Sequence, residues 1–227
     1  MPAHTGCQGW RSIGLMGSVT RTQAGQTMQR RAEVTDRVLG AVEDLLGTGE
    51  RFTELPVQRI AQRSGMSRTN FYQYFPNKSQ VLIQVADVAS KEFFAAPTSW
   101  FADDASLDAG VAGVQRAIAE MIAEFRKHWP LMRALGEAAA YDAEVAEFWF
   151  GRIHEFIDFA AGRVQRWQTQ GRVDDAVTTE SVAAVTWMVE RTITQHIIGS
   201  GADVSTDDQV VAALSRTIWL TIAAGAD

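Results

Sequence analysis

The sequence predicts an all-α protein, with a three-helix helix-turn-helix unit at the N-terminal end and a larger helical bundle behind it. Three observations carry that prediction. From about residue 29 onward apolar residues recur at three- and four-residue intervals, the period of amphipathic helices. No stretch alternates apolar and polar residues long enough to make a half-buried strand. Glycines, prolines and capping residues fall between the periodic segments, where inter-helix turns need them.

Residues 1–28 are rich in Gly, Ser, Thr and Gln, carry Arg11 and Arg21, and hold no acidic residue; this composition predicts a flexible tail. Val34, Val38, Ala41 and Leu45 place the first helix, and Gly47 with Gly49 ends it. Pro56 opens a short second helix through Arg63, stopped by Gly65. Ser67 caps a third, which Pro76 ends, and Asn77 caps a fourth that runs through Val81, Leu82, Val85 and Val88 towards Phe94. Pro97–Asp108 reads as a linker. Longer helices are then expected at roughly 108–127, 130–139, 142–170, 178–198 and 206–224, separated by Gly171, the GSGAD stretch and Thr206. The expected organisation is a tail (1–28), an N-terminal helical unit (29–91, with a helix-turn-helix motif at 56–75) and a larger C-terminal helical unit (92–227).

The net charge of −6 is unevenly spread. Residues 1–91 carry 11 Lys/Arg against 7 Asp/Glu, and the remainder 10 against 20. A basic head on an acidic body suits a protein that meets a polyanion with one end. One cysteine, Cys7, allows no internal disulfide. No apolar run approaches the roughly 20 residues of a membrane span, and no secretory leader is visible, so a cytoplasmic protein without a membrane partner is expected.

The chemistry concentrates in SGMSRTNFYQYFPNK, residues 64–78. Ala61 is small enough for two helices to cross closely, and Gly65 suits the left-handed turn between them. Stepping about 100° per residue puts Phe71 and Phe75 on one face, about 40° apart. Tyr72 and Tyr74 fall on either flank, with Thr69, Asn70 and Gln73 between them and Arg68 at the helix start. Two rings thus anchor the helix, while the outward arc offers donors and acceptors to base edges and phosphates.

The stretch from Val34 to Lys91, and above all IAQRSGMSRTNFYQYFPNKSQVL, resembles the N-terminal domain of the TetR family of one-component regulators. Tyr72, Tyr74, Phe75 and Lys78 resemble the family's aromatic signature ending in Phe/His–x–x–Lys, with Phe75 three residues before Lys78. The resemblance implies double-stranded operator DNA as partner, contacted by Ser67, Arg68, Thr69, Asn70, Tyr72, Gln73 and Tyr74, with Lys78 holding a phosphate. Many members carry Thr or Ser where this chain has Pro56 and Val57, which leaves Gln58 and Arg59 as substitutes.

Behind this unit, Val114, Ile118, Met121 and Phe125 form one helical stripe, and Trp149 and Phe156 lie on another. Bulky aromatics exceed what a tight bundle needs and suit an apolar ligand cavity. AEVAEFW, WMVERT and TIWLTI are similar to the ethionamide-activation repressor branch of the same family. That likeness implies a tunnel lined by Met121, Phe125, Trp149, Phe156, Thr186, Val189 and Trp219, joined by Val114 from the stripe. Thr186 and Val189 stand where the branch has asparagines, which implies a more apolar effector. It also implies a homodimer through the last two long helices, in keeping with the broad apolar surface of 178–198.

An enzyme is the rival reading. The four histidines are scattered outside metal-ligand spacings, and no nucleophile elbow or phosphate loop is present, so no catalytic residue, metal or cofactor is expected. The other rival is an interaction module whose helix-turn-helix only packs. Glu190 and Arg191 read as a structural ion pair, within the helix or across an interface.

Overall fold

The computed structural model describes the backbone of residues 16–222 and the side chains of residues 25–222. Nine α-helices make up the described chain: α1 (Met16–Gly47), α2 (Val57–Arg63), α3 (Arg68–Tyr74), α4 (Lys78–Ala102), α5 (Gly110–Lys127), α6 (Trp129–Ala139), α7 (Ala143–Thr169), α8 (Thr179–Ser200) and α9 (Asp207–Ile222). Short 3-10 turns at Phe52–Glu54 and Asp104–Ala109 complete it, and no strand occurs among the described residues. The all-α expectation holds, and the five C-terminal helices fall within two residues of their expected bounds.

The helix starts follow from local chemistry. Ser67 Oγ accepts the Asn70 amide at 3.2 Å and opens α3. Asn77 Oδ1 accepts the Gln80 amide at 2.7 Å and opens α4. Asp142 and Thr178 do the same for α7 and α8. Each satisfies an amide that has no partner within its helix. Between α2 and α3, Gly65 adopts φ 70°. The Met66 amide reaches back to the Ala61 carbonyl (2.8 Å) and the Gly65 amide to Gln62 (3.1 Å), a Schellman closure that a side-chain-bearing residue would strain.

Two boundaries differ from expectation. The first helix starts at Met16, so the expected flexible tail of 1–28 is helical from residue 16; residues 1–15 lie outside the described residues. Gly17 and Gly25 weaken a helix by about 1 kcal/mol each without ending it, and no proline intervenes. The expected linker at Pro97–Asp108 is instead the last turns of α4 followed by a 3-10 turn. Proline costs a helix about 3 kcal/mol. Here Phe93, Pro97, Trp100 and Phe101 are all buried where α4 packs on α5 and α7, and that burial offsets the lost hydrogen bond. The expected division at residues 91 and 92 therefore falls inside one unbroken helix.

A continuous core runs from Val34 of α1 to Ile222 of α9. Phe71 and Phe75 are fully buried in its N-terminal part, ring centroids 4.9 Å apart. Further along, Trp100, Phe101 and Trp167 form a ring cluster with centroid separations of 4.9 to 5.7 Å. Gly113 lets Trp100 lie close to α5: a Cβ there would stand 2.9 Å from the indole Nε1 and 3.3 Å from the Ser106 carbonyl oxygen. Gly113→Ala is accordingly expected to cost about 1–3 kcal/mol, read by chemical denaturation, because the ring must move into an already packed cluster.

Candidate functional site

α3 is built as its sequence requires. With Phe71 and Phe75 turned into the core, Ser67, Arg68, Thr69, Tyr72 and Gln73 are exposed, and Asn70 and Tyr74 are half-buried at the margins. Tyr72 is 40% exposed, its ring at right angles to Phe71 and 5.8 Å beneath the Arg68 guanidinium. That stacking steers Arg68 along the outer face instead of letting it sweep solvent.

The remaining predicted residues are partly engaged inside the protein. Tyr74 packs against the core, and its carbonyl accepts from Gln84 Nε2 (3.3 Å) and Arg31 Nη2 (3.5 Å). Lys78 is half-buried; its Nζ donates to the Thr53 carbonyl at 2.8 Å and lies 5.0 Å from the Phe52 ring centre. Burial lowers its pKa from the ordinary lysine value. An ammonium has three N–H donors, so two remain after Thr53 is served. Arg59, a suggested substitute for the missing Thr or Ser of α2, is instead bound by both nitrogens to Glu50 at 2.6 and 2.9 Å. Gln58 is exposed.

Sequence reading missed the contribution of α1. Arg30 and Arg37, both exposed, line a surface recess with Asn70 and Tyr74, so basic side chains flank the recognition helix. Their seven-residue spacing, two helical turns, was the available signal. Glu33 and Asp36 share that recess.

In the bundle the expected tunnel residues divide between two spaces. An internal cavity of about 70 Å³ is enclosed by α4, α5, α7, α8 and α9 and includes Val114, Met121, Phe156, Thr186 and Val189. Phe125 and Trp149 line a separate groove of about 970 Å³ between α6, α7 and α8. Trp219 lines neither; it packs half-buried against the core. The dividing wall is aromatic: Phe93 against Phe125 (5.2 Å) and Phe94 between Trp149 (6.4 Å) and Phe156 (5.3 Å). The hydroxyls of Thr186 and Thr221 are spent on the Val182 and Thr217 carbonyls, leaving the cavity wall apolar but for Ser181 and Glu190. Glu190 lines cavity and groove alike. Within α8 no Glu190–Arg191 ion pair is formed; among the described residues the carboxylate accepts only from Thr194 Oγ1, at 3.1 Å.

Glu92, Glu124 and His128 are close enough to hold a metal ion. Lys127 Nζ already pairs with two of the three, 2.5 Å from Glu92 and 3.3 Å from Glu124.

Comparison with known proteins meets this geometry at both ends. Residues 52–85 match the family model "Bacterial regulatory proteins, tetR family", and residues 114–224 match "Transcriptional regulator EthR, C-terminal domain". The chain is 31% identical over 211 residues to the HTH-type transcriptional regulator EthR of Mycolicibacterium smegmatis, covering 89% of this chain and 93% of that one. This chain belongs to the TetR family. The EthR of Mycobacterium tuberculosis is 27% identical over 212 residues, covering 89% and 97% of the two chains. In fold, the TetR-family chain is similar to putative members from Mesorhizobium loti and Rhodococcus sp., each at TM-score 0.64. Those structures are 15% and 16% identical; the matches cover 84% of this chain and 96% and 99% of theirs. As a TetR-family member the protein is a DNA-binding transcriptional regulator and not an enzyme. No helix among the described residues is long and apolar enough to cross a membrane.

Proposed function

We propose that this regulator is a cytoplasmic repressor that binds a palindromic operator as a homodimer and leaves it when a small apolar effector enters the C-terminal cavity. The observation that carries this reading is the reach of α4. Its first turns hold the recognition helix, through Gln84 to the Tyr74 carbonyl, and the 3-10 turn before α2, through Lys78 to the Thr53 carbonyl. Its last turns, with Phe93, Phe94, Pro97, Trp100 and Phe101, wall the cavity. One rigid element therefore spans both sites. The present cavity, about 70 Å³, is far below the roughly 300 Å³ of a typical ligand site. An effector of ordinary size has to part the Phe93–Phe125 and Phe94–Trp149 contacts and join cavity to groove. Displacing Phe93 and Phe94 shifts α4, and the two recognition helices of a dimer lose the spacing that matches successive major grooves, about 34–36 Å.

Exposed apolar residues on the last two helices, Ile198 (54% exposed) and Leu220 (59%), support dimerisation there. On the DNA side the contacts are Ser67, Arg68, Thr69, Asn70, Tyr72, Gln73 and Tyr74, with Lys78, Arg30 and Arg37 on phosphates. Fluorescence anisotropy with the protein's own upstream DNA tests the reading. Arg68→Ala and Tyr72→Ala are each expected to weaken binding by about 1–3 kcal/mol, roughly ten- to a hundredfold, with no loss of thermal stability. Unchanged affinity in both variants, or binding indifferent to salt, would refute operator recognition by this helix.

A further inference from the structure

The groove beside the cavity has a chemistry that an apolar effector alone does not use. Its walls carry five aromatic rings, Phe125, Trp129, Trp149, Phe150 and Trp187, around the carboxylate of Glu190. They pair among themselves: Phe125 with Trp129 at 6.1 Å and Phe150 with Trp187 at 5.9 Å. The other charges of the groove are accounted for. Arg133 pairs with Glu137 at 3.4 Å, and Arg191 is exposed on α8. Among the described residues Glu190 has no cation within 4 Å, only the Thr194 hydroxyl on one oxygen. Desolvation raises its pKa above the ordinary glutamate value. The Arg191 charge on the next residue offsets this only in part, without an ion-pair contact, and a half-buried carboxylate with no cation in contact costs free energy that a neutral amide or an apolar residue would not. A cation brought to it recovers that cost and gains a charge-assisted hydrogen bond. Indole faces add attraction for the same charge sign.

We propose that Glu190 selects effectors bearing an organic ammonium group: the apolar portion occupies the cavity, and the ammonium sits at the cavity–groove boundary between Glu190 and the tryptophan-rich wall. This rests on the effector reading of the cavity and gives that effector a chemical class. Glu190 is the natural place for the charge because it is the charged residue common to both spaces. Ligand length follows from the same geometry, with a short aryl or alkyl body on one side and the amine within a few bonds of it.

Calorimetry on the full-length protein with three matched probes tests the assignment: 4-phenylbutylammonium, 4-phenylbutanol and 4-phenylbutyrate. The wild type is expected to bind the ammonium at least tenfold more tightly than the alcohol, with the carboxylate weakest. Glu190→Gln keeps an acceptor for Thr194 and removes the charge. It should bind the alcohol as before and the ammonium no better than the alcohol. Equal affinity of wild type for ammonium and alcohol would overturn the ammonium selectivity while leaving the apolar-effector reading in place, as would an ammonium preference that survives in Glu190→Gln. Absence of binding by all three probes would overturn both readings.

Discussion

Replacing Phe71 with alanine is expected to lower the stability of the protein by about 3–5 kcal/mol, measured by chemical denaturation. The ring is fully buried, packs at a tilt on Phe75 with centroids 4.9 Å apart, and is the anchor that fastens a seven-residue helix to its unit. So short a helix has no stability of its own; it persists only through the face it buries. Deleting the ring removes the transfer free energy of the side chain and leaves a void that Phe75, also fully buried, fills only in part. DNA affinity is expected to fall with stability, because the recognition surface loses its support. Phe71→Leu, which keeps most of the volume, should cost much less, about 1–1.5 kcal/mol. The neighbouring Tyr72→Ala is expected to show the opposite pattern, with DNA affinity lost and stability kept. A Phe71→Ala protein destabilised by less than 1 kcal/mol would mean that the anchor lies elsewhere, and the inward role of the two phenylalanines would fall with it.

The inward pair, with Tyr72 outside it, was legible in the sequence because it depends only on helical stepping within one short segment; Tyr74, expected on the outward flank, is half-buried against the core. Caps were legible for the same reason: Ser67 and Asn77 act on amides three residues away. What was not legible depends on distant partners. Pro97 reads locally as a break, and only the burial of Phe93, Trp100 and Phe101 against α5 and α7 keeps the helix intact around it. Sequence spacing does not say that Phe93 and Phe125 meet and separate the expected tunnel residues into two spaces, nor that Trp219 lines neither. Lys78 sits at its expected place in the signature, while its bond to the Thr53 carbonyl crosses from one element to another. Glu190 is the sharpest case. Beside Arg191 in the sequence it reads as half of a surface pair, but successive residues on a helix point about 100° apart, so the arginine faces solvent and the carboxylate faces the cavity.

The second large effect is expected at His128, where the two halves of the chain are tied together. This residue is 5% exposed, at the junction of α5 and α6. Its Nδ1 lies 2.5 Å from Glu43 of α1 and its Nε2 3.1 Å from Glu92 of α4. Both ring nitrogens face carboxylate oxygens, an arrangement satisfied fully only when both carry protons, so the imidazolium is the form the site favours. The hydrogen bond to Glu43 raises the pKa of His128 most, with Glu92 adding to it; burial and the nearby Lys127 oppose them. A pKa raised above its unfolded value of about 6.5 makes a stabilising contribution that is complete below that pH and is lost as pH rises through the folded value. Glu92 sets the acid limit. Its own pKa is lowered, first by Lys127 and then by His128, so its share is lost as pH falls through that lowered value. The link between the DNA-binding helices and the bundle is therefore strongest in mildly acidic solution and loosens towards alkaline pH. His128→Ala leaves Glu43 facing a void without its partner. It is expected to cost about 2–3 kcal/mol near pH 6, below the value for a fully buried pair because Glu92 is 45% exposed. Thermal melts of wild type and variant across pH 5.5 to about 9.5 provide the measurement. The gap between their Tm values should narrow as pH rises; a constant gap would show that His128 acts by packing alone, and the charge linkage from α1 to α4 would have to be given up.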